Sequence, residues 1–372
     1  MSNTRNSAGF EHFNDLSRRK GNFLLPSSFF VETKRGILLI LALFTLFLAV
    51  VGGIYIKWKQ PSHPSDLRLS HTSSLPEPTL KTVQTDATGA ITISAGTLND
   101  FYVLTKDKIL YYHLIDLPRG ELLIRKRFEI ELDERPTASC FVMRPGSYFY
   151  KKLFLAFANT ISLFDPESKK LSQYIQFGSE STITGLATDG YNLYAADSGL
   201  GIFYRIDWDK KVSSWGMHDE KTGFQGFLKN RYKFFNLDVS QKNETIYVTH
   251  PDKFRIEAFS ALDGHWKKDE SFEKNPSNDT NQGETFTGVS NPASVIILGD
   301  GSFLTTDAGP EPDVKNWHSD GSFQAEIRLP EINIPIAADQ APLTTITFTE
   351  SRRVRLLILM PTGVLVSFTS SP

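Results

Sequence analysis

Hydrophobic positions fall into two regimes along this chain. From Gly36 to Ile56 the sequence reads GILLILALFTLFLAVVGGIYI, uncharged, with Thr45 and Tyr55 its only polar side chains. At 1.5 Å per residue a helix of that length crosses about 30 Å, the hydrocarbon thickness of a bilayer. From about Ala90 the pattern changes to short apolar runs at period two, punctuated by Gly, Asp, Asn and Pro, which predicts successive strands. FYVLT, ILYYHLI, KLFLAFA, NLYAAD, GIFYRIDW, TIYVTH and VRLLILM are examples, and no amphipathic helix of ordinary length occurs among them.

The runs repeat. Compare ITGLATDGYNLYAADSGLGIFYRIDWDKKVSSW with FFNLDVSQKNETIYVTHPDKFRIEAFSALDGHW and SVIILGDGSFLTTDAGPEPDVKNWHSDGSFQAEI. First strands are expected near Ile91, Thr137, Ile183, Phe235, Pro292 and Leu343, at spacings of 46 to 57 residues. A unit of about 50 residues with four strands is slightly longer than an ordinary propeller blade, and six units fill the available length. One small twisted sheet cannot bury both faces; six stacked radially can. The expected fold is all-β, a six-bladed β-propeller preceded by one transmembrane helix.

The flanks of the apolar run set its orientation. Arg18, Arg19, Lys20, Lys34 and Arg35 precede it; Lys57, Lys59 and Arg68 follow it. The excess on the N-side places the N-terminus in the cytoplasm, with Tyr55 and Trp58 as an outer interfacial pair. With 35 residues ahead of the run and no A-x-A-like site after it, the run reads as an anchor and not as a cleaved signal. Pro61, Pro64, Pro76 and Pro78 among many Ser and Thr mark a stiff linker. The expected organisation is a cytoplasmic tail over 1–35, the membrane helix over 36–56, a Pro/Ser-rich linker over 57–88 and the propeller over 89–372, in a periplasmic or other extracytoplasmic location.

Composition narrows the chemistry. Net charge is −2 with 22% charged residues, which argues against nucleic acid as a partner. Cys140 is the single cysteine, so no disulfide within the chain and no cysteine-based zinc or iron–sulfur site can form. Its setting, TASCFVM, reads as a buried strand thiol. Asp189, Asp197, Asp263, Asp300 and Asp320 recur in turns near Gly, where a carboxylate bonds its own backbone. Trp208, Trp215, Trp266 and Trp317 come late in repeats and read as inter-blade packing. His265 to Gly288 reads as a long exposed loop.

The repeat ITGLATDGYNLYAADSGLGIFYRID resembles an NHL repeat, the blade of six-bladed NHL propellers. The segment from Phe234 to Phe323 is similar to bacterial NHL-repeat proteins. Its Asn291-Pro292, SVIILGDGSF, Thr305-Thr306, Val314-Lys315 and Asp320-Gly321-Ser322-Phe323 follow their fifth-blade pattern. Val289 and Ser290 stand where that pattern has paired cysteines, so no thiol role carries over. The resemblance implies a membrane-anchored NHL-repeat propeller.

No Gly-x-Ser-x-Gly elbow, Walker loop or dinucleotide fingerprint is present. The expected function is a non-catalytic binding or scaffold module outside the cytoplasm. It would be held by the bilayer through Gly36 to Ile56, would take a protein partner or small ligand on one propeller face, and would need no cofactor. The alternative is a metal-dependent lactonase or lyase-like hydrolase in the central channel, with a divalent ion. Asn236, Asn291, Asp307 and Glu350 are its candidate residues, and their convergence would mark it.

Overall fold

A computed structural model describes residues 79–118, 121–227, 235–250, 253, 255–271, 292–307, 314–327, 343–348, 354–360 and 362–369. The tail, the apolar run Gly36–Ile56 and the linker up to residue 78 lie outside these. Among the described residues no helix is long and apolar enough to cross a membrane.

Six antiparallel sheets form six blades. Blade one is β2 (Thr92–Ala95), β3 (Asp100–Leu104), β4 (Lys108–Asp116) and β5 (Leu122–Glu131). Blade two is β6 (Ala138–Phe141), β7 (Leu153–Phe157), β8 (Thr160–Asp165) and β9 (Lys170–Gln176). Blade three is β10 (Ile183–Thr188), β11 (Leu193–Asp197), β12 (Ile202–Ile206) and β13 (Val212–Trp215). Among the described residues blade four has β14 (Leu237–Ser240), β15 (Thr245–His250) and β16 (Arg255–Ser260), followed by a Phe259–Trp266 bridge. Blade five is β17 (Pro292–Ile297), β18 (Phe303–Asp307), β19 (Val314–Trp317) and β20 (Phe323–Ile327). Blade six is β21 (Leu343–Phe348), β22 (Val354–Leu359) and β23 (Val364–Thr369), closed on its outer edge by β1 (Thr79–Gln84). Every first strand begins within two residues of its expected position.

β1 corrects the expected linker. Thr79 to Gln84 falls inside 57–88, yet it pairs along its whole length with Val364 to Thr369. Outer strands are half solvated and need few apolar residues, so TLKTVQ looked like linker. The propeller therefore begins near residue 79 and not 89.

Six apolar clusters hold the ring, one between each pair of neighbouring blades. Blade one shows how. Phe101 and Val103 pack with Leu357 and Leu359 of blade six, while Tyr102 and Leu104 pack with Phe141 and Leu155 of blade two. Alternate residues of one strand thus serve opposite interfaces. For this reason FYVL, LFLAF, LYAA and IYV read as continuous apolar runs and not as alternations. Outer strands such as β13 are largely exposed.

The innermost strands β2, β6, β10, β14, β17 and β21 adjoin one another around the axis. Turns joining first to second and third to fourth strands share one end of the ring, here the turn face. Second-to-third turns and blade-to-blade connections share the other, the crossover face. Hydrogen bonds tie the turn face together. Arg144 donates to the Asp189 carbonyl and to Gln241 at 3.1 and 3.2 Å, and Lys242 donates to the Asp300 carbonyl at 2.7 Å.

Two expectations about single residues change. Trp317 is buried and donates to Thr305 Oγ1 at 2.9 Å, and Trp215 packs on blade four, but Trp208 stands 64% exposed on a turn. Trp266, expected in a loop, pairs with Phe259 and leads into the short 3-10 turn Lys268–Glu270. The rest of that loop, 272–291, lies outside the described residues.

Candidate functional site

The channel wall repeats with the fold. Each inner strand carries a small polar residue at or near its start: Thr92, Ser139, Thr184, Asn236, Ser294 and Thr344. An inner strand has an unpaired edge toward the axis, and these side chains occupy its free groups or one another. Ser139 Oγ lies 3.1 Å from Thr92 Oγ1 and 2.7 Å from Ser94 Oγ, joining blades one and two. Thr184 donates to the Phe235 carbonyl at 2.7 Å, joining three and four. Ser294 Oγ lies 3.3 Å from Thr344 Oγ1, joining five and six, and 2.7 Å from Thr306 Oγ1. Bulges at Ile183/Gly185 and Pro292/Ser294 re-aim the residues concerned. Gly185 is required by contact: a Cβ there would lie 2.9 Å from Asn236 Cα and Oδ1.

Asp238 is the single acid in the six inner strands. It accepts the Val239 and Ile297 backbone N–H groups at 2.8 and 2.7 Å, the second bond joining blades four and five. Protein surrounds the carboxyl, which keeps only a partial opening. Burial pushes its pKa up to about 6, against the pull of the Ile297 and Val239 N–H bonds. On blade two, Cys140 is buried. Its own burial, and then the Asp238 charge, raise the thiol pKa, so it stays protonated.

The raised Asp238 value has a sign. The folded chain holds more protons than the unfolded one between about pH 4 and 6. The stability this group contributes is complete at pH 4 and lost as pH rises through 6. Asp238→Asn is expected to remove a falling component of stability across that window. Urea midpoints of both proteins at pH 4.5, 5.5 and 6.5 would show parallel curves if Asp238 did not titrate there.

A second constellation stands where β15 ends on the crossover face. His250 and Glu257 are both wholly buried, with His250 Nδ1 3.1 Å from Glu257 Oε1. Arg255 Nε also donates to Oε1, and Trp266 Nε1 donates to Oε2 at 2.9 Å. Burial alone would raise the Glu257 pKa; the His250 hydrogen bond, the Arg255 charge and the Trp266 bond outweigh it and hold it low. Burial also lowers the His250 pKa, against the Glu257 bond. The imidazole is therefore neutral, with its proton on Nδ1. Among the described residues its Nε2 has no hydrogen-bond partner, and the Phe227 ring lies 4.8 Å from the imidazole.

Blade one carries a groove of about 700 Å³ on the crossover side. Its charges face one another: Lys126 bridges Asp86 and Glu129 at 2.8 Å each.

Of the expected channel residues, Asn236 stands at the crossover end, its Oδ1 accepting the Leu237 N–H at 2.7 Å. Asp307 ends β18 opposite Pro292. Asn291 and Glu350 lie outside the described residues. Among the described residues no group of three His, Cys, Asp or Glu side chains could hold a metal ion. The turn aspartates behave as expected. Asp189 takes the Tyr191 and Asn192 N–H groups at 2.7 and 2.6 Å, and Asp300 and Asp320 each take a Ser N–H at 2.9 Å. The sequence reading missed Asp238 and the His250–Glu257 pair. Aligning the six first strands would have exposed Asp238, and reading TIYVTH and RIEAFSA as one hairpin would have set His250 near Glu257, seven residues on.

Comparison with known proteins shows no family. No family model matches the chain, and no curated protein matches its sequence. Among solved structures it is similar to virginiamycin B lyase from Staphylococcus aureus, at 12% identity over 78% of this chain and 99% of that one, TM-score 0.49. A streptogramin B lyase matches at 11% identity over 78% and 97%, TM-score 0.49. A catalytically inactive form of the staphylococcal lyase with quinupristin matches at 12% over 78% and 99%, TM-score 0.48.

Proposed function

We propose that this chain is a membrane-anchored, NHL-like propeller that works as a non-catalytic binding or scaffold module outside the cytoplasm. The observation that supports this reading is how the channel's polar groups are used. Ser139, Thr184, Ser294 and Asp238 bond to neighbouring blades, and Asn236 Oδ1 bonds its own strand. A polar wall committed to holding blades together leaves recognition to the faces, where turns on a rigid scaffold can vary freely. Metal analysis of the purified full chain, with thermal melts before and after chelation, tests it. The expected result is no tightly held divalent ion and an unchanged melting point. One ion per chain, with a melting point that drops on chelation, would overturn it.

A second reading, a hydrolase or lyase at the crossover mouth, is favoured by one observation. His250 is oriented through Nδ1 by a carboxylate, and its Nε2 has no partner among the described residues, the arrangement of a general base. A metal-dependent form would need ligands beyond those the described residues bring together.

A further inference from the structure

The groove on blade one opens where the chain passes from β1, the outer strand of blade six, into β2, the inner strand of blade one. Three segments wall it: the β1–β2 connection, the β3–β4 turn with the first residues of β4, and β5 with its exit. Backbone bonds fix these walls. The Ile91 N–H donates to the Leu104 carbonyl and the Leu132 N–H to the Asp107 carbonyl, both at 2.7 Å. A volume of about 700 Å³ is that of a small-molecule site.

The charges of the groove divide into two sets. Lys126 joins Asp86 to Glu129, and Lys108 joins Glu129 at 3.2 Å. These two lysines and two carboxylates neutralise one another. The Lys126 and Lys108 bonds hold Glu129 ionised, its pKa below the ordinary carboxyl value. The second set is Lys106, Asp107 and Arg135. Asp107 takes the Thr105 hydroxyl at 3.1 Å. Among the described residues none of these three has an ion-pair partner.

The Leu132–Asp107 bond brings the two cations to one groove. It ties the turn that carries Lys106 to the segment that carries Arg135. A lone exposed cation is an ordinary solvated side chain. Two cations on separate walls of a preformed groove, with one free carboxylate against them, leave positive charge that a ligand can meet. Ile91 and Leu110 give the same groove apolar lining, and Leu110 belongs to the cluster between blades one and six. An inorganic anion would use the cations and leave that lining wet. A short organic chain with an anionic group at each end uses both.

We propose that this groove binds a small organic dianion of the dicarboxylate class, one carboxylate on Arg135, the other on Lys106 and the spacer over Ile91 and Leu110. The Arg135 guanidinium offers a planar fork for both oxygens of a carboxylate, and Lys106 a point charge. Asp107 is the one unneutralised charge that opposes the ligand. The proposal rests on the binding-module reading, to which it gives a ligand class.

Calorimetric titration of the purified full chain with glutarate tests it, with acetate and inorganic phosphate at matched ionic strength as the other probes. Glutarate is expected to saturate one site per chain and to bind more tightly than either. Arg135→Ala is expected to weaken glutarate binding by about tenfold, the loss of a charge-assisted pair. Lys106→Ala should weaken it less, and Lys170→Ala, an exposed lysine on blade two, not at all. Urea midpoints equal to wild type show that the variants are folded. No saturable glutarate binding, equal binding of acetate, or unchanged affinity in Arg135→Ala overturns the proposal. Phosphate bound as tightly as glutarate overturns it in favour of an inorganic anion. The two readings fail separately. A tightly held metal ion in a chain that still binds glutarate overturns the binding-module reading alone, and a metal-free chain that binds no glutarate overturns this one alone.

Discussion

Replacing Asp116 with alanine is expected to weaken the ring at its closing seam by about 3 kcal/mol, the low end for breaking a buried ion pair. Arg355 is 1% exposed, and one of its two terminal nitrogens, Nη1, has no partner among the described residues. Asp116 receives Nη2 and is partly open to water, which is why the low end applies. Without it a guanidinium stays buried with Thr369 Oγ1, 3.3 Å from Nε, as its remaining hydrogen-bond partner. Domains of ordinary stability have about 5–15 kcal/mol in all, so the loss is a large share. Lys81→Ala should cost about 1 kcal/mol or less, since it leaves the Arg355–Asp116 contact in place. Urea unfolding of the three proteins separates the cases. Equal midpoints for Asp116→Ala and wild type would mean that β1 pairing alone closes the ring.

The other large effect is expected at Glu257. Its removal leaves the His250 and Trp266 N–H groups without this acceptor inside blade four. A loss of about 2–4 kcal/mol follows from stranding two buried donors, a large share of an ordinary domain's stability. Glu257→Gln, which keeps one acceptor oxygen, should lose less. The pH dependence carries its own sign. The His250 pKa is depressed on folding, so the stability owed to its neutral form is present above about pH 6.5 and lost as pH falls below it. The Glu257 pKa is also lowered, so its share is lost only further down, below the ordinary carboxyl range. His250→Asn, which can still donate to Glu257, is expected to remove the first decline and keep the second. Thermal melts from pH 7.5 to 4 would read this, and an unchanged decline between 6.5 and 5.5 would place its origin elsewhere.

Much of the ring was legible because its cause is local. Ile183, Leu237 and Pro292 open strands that the apolar runs had announced, and Asp189, Asp300 and Asp320 cap their own turns as short-range chemistry requires. β1 was not legible, since an outer strand half in water carries too few apolar residues to differ from a Thr-rich linker. Trp208 was misread for a related reason: an aromatic late in a repeat can face the next blade, as Trp215 does, or open water. The candidate site was less legible still. Asn236 was chosen as a ligand, whereas its Oδ1 bonds its own strand. The inner-strand aspartate that folding desolvates, Asp238, was passed over.

By itself the sequence determined the number of blades, their order and the paired apolar faces between them. Those follow from strand periodicity and from a repeat that cannot bury both its surfaces alone. Tertiary structure decided the rest. It joined Thr79–Gln84 to Val364–Thr369 and closed Asp238 into the wall against Ile297. Each of these depends on which segments meet across the ring, and no local pattern encodes a meeting between distant residues.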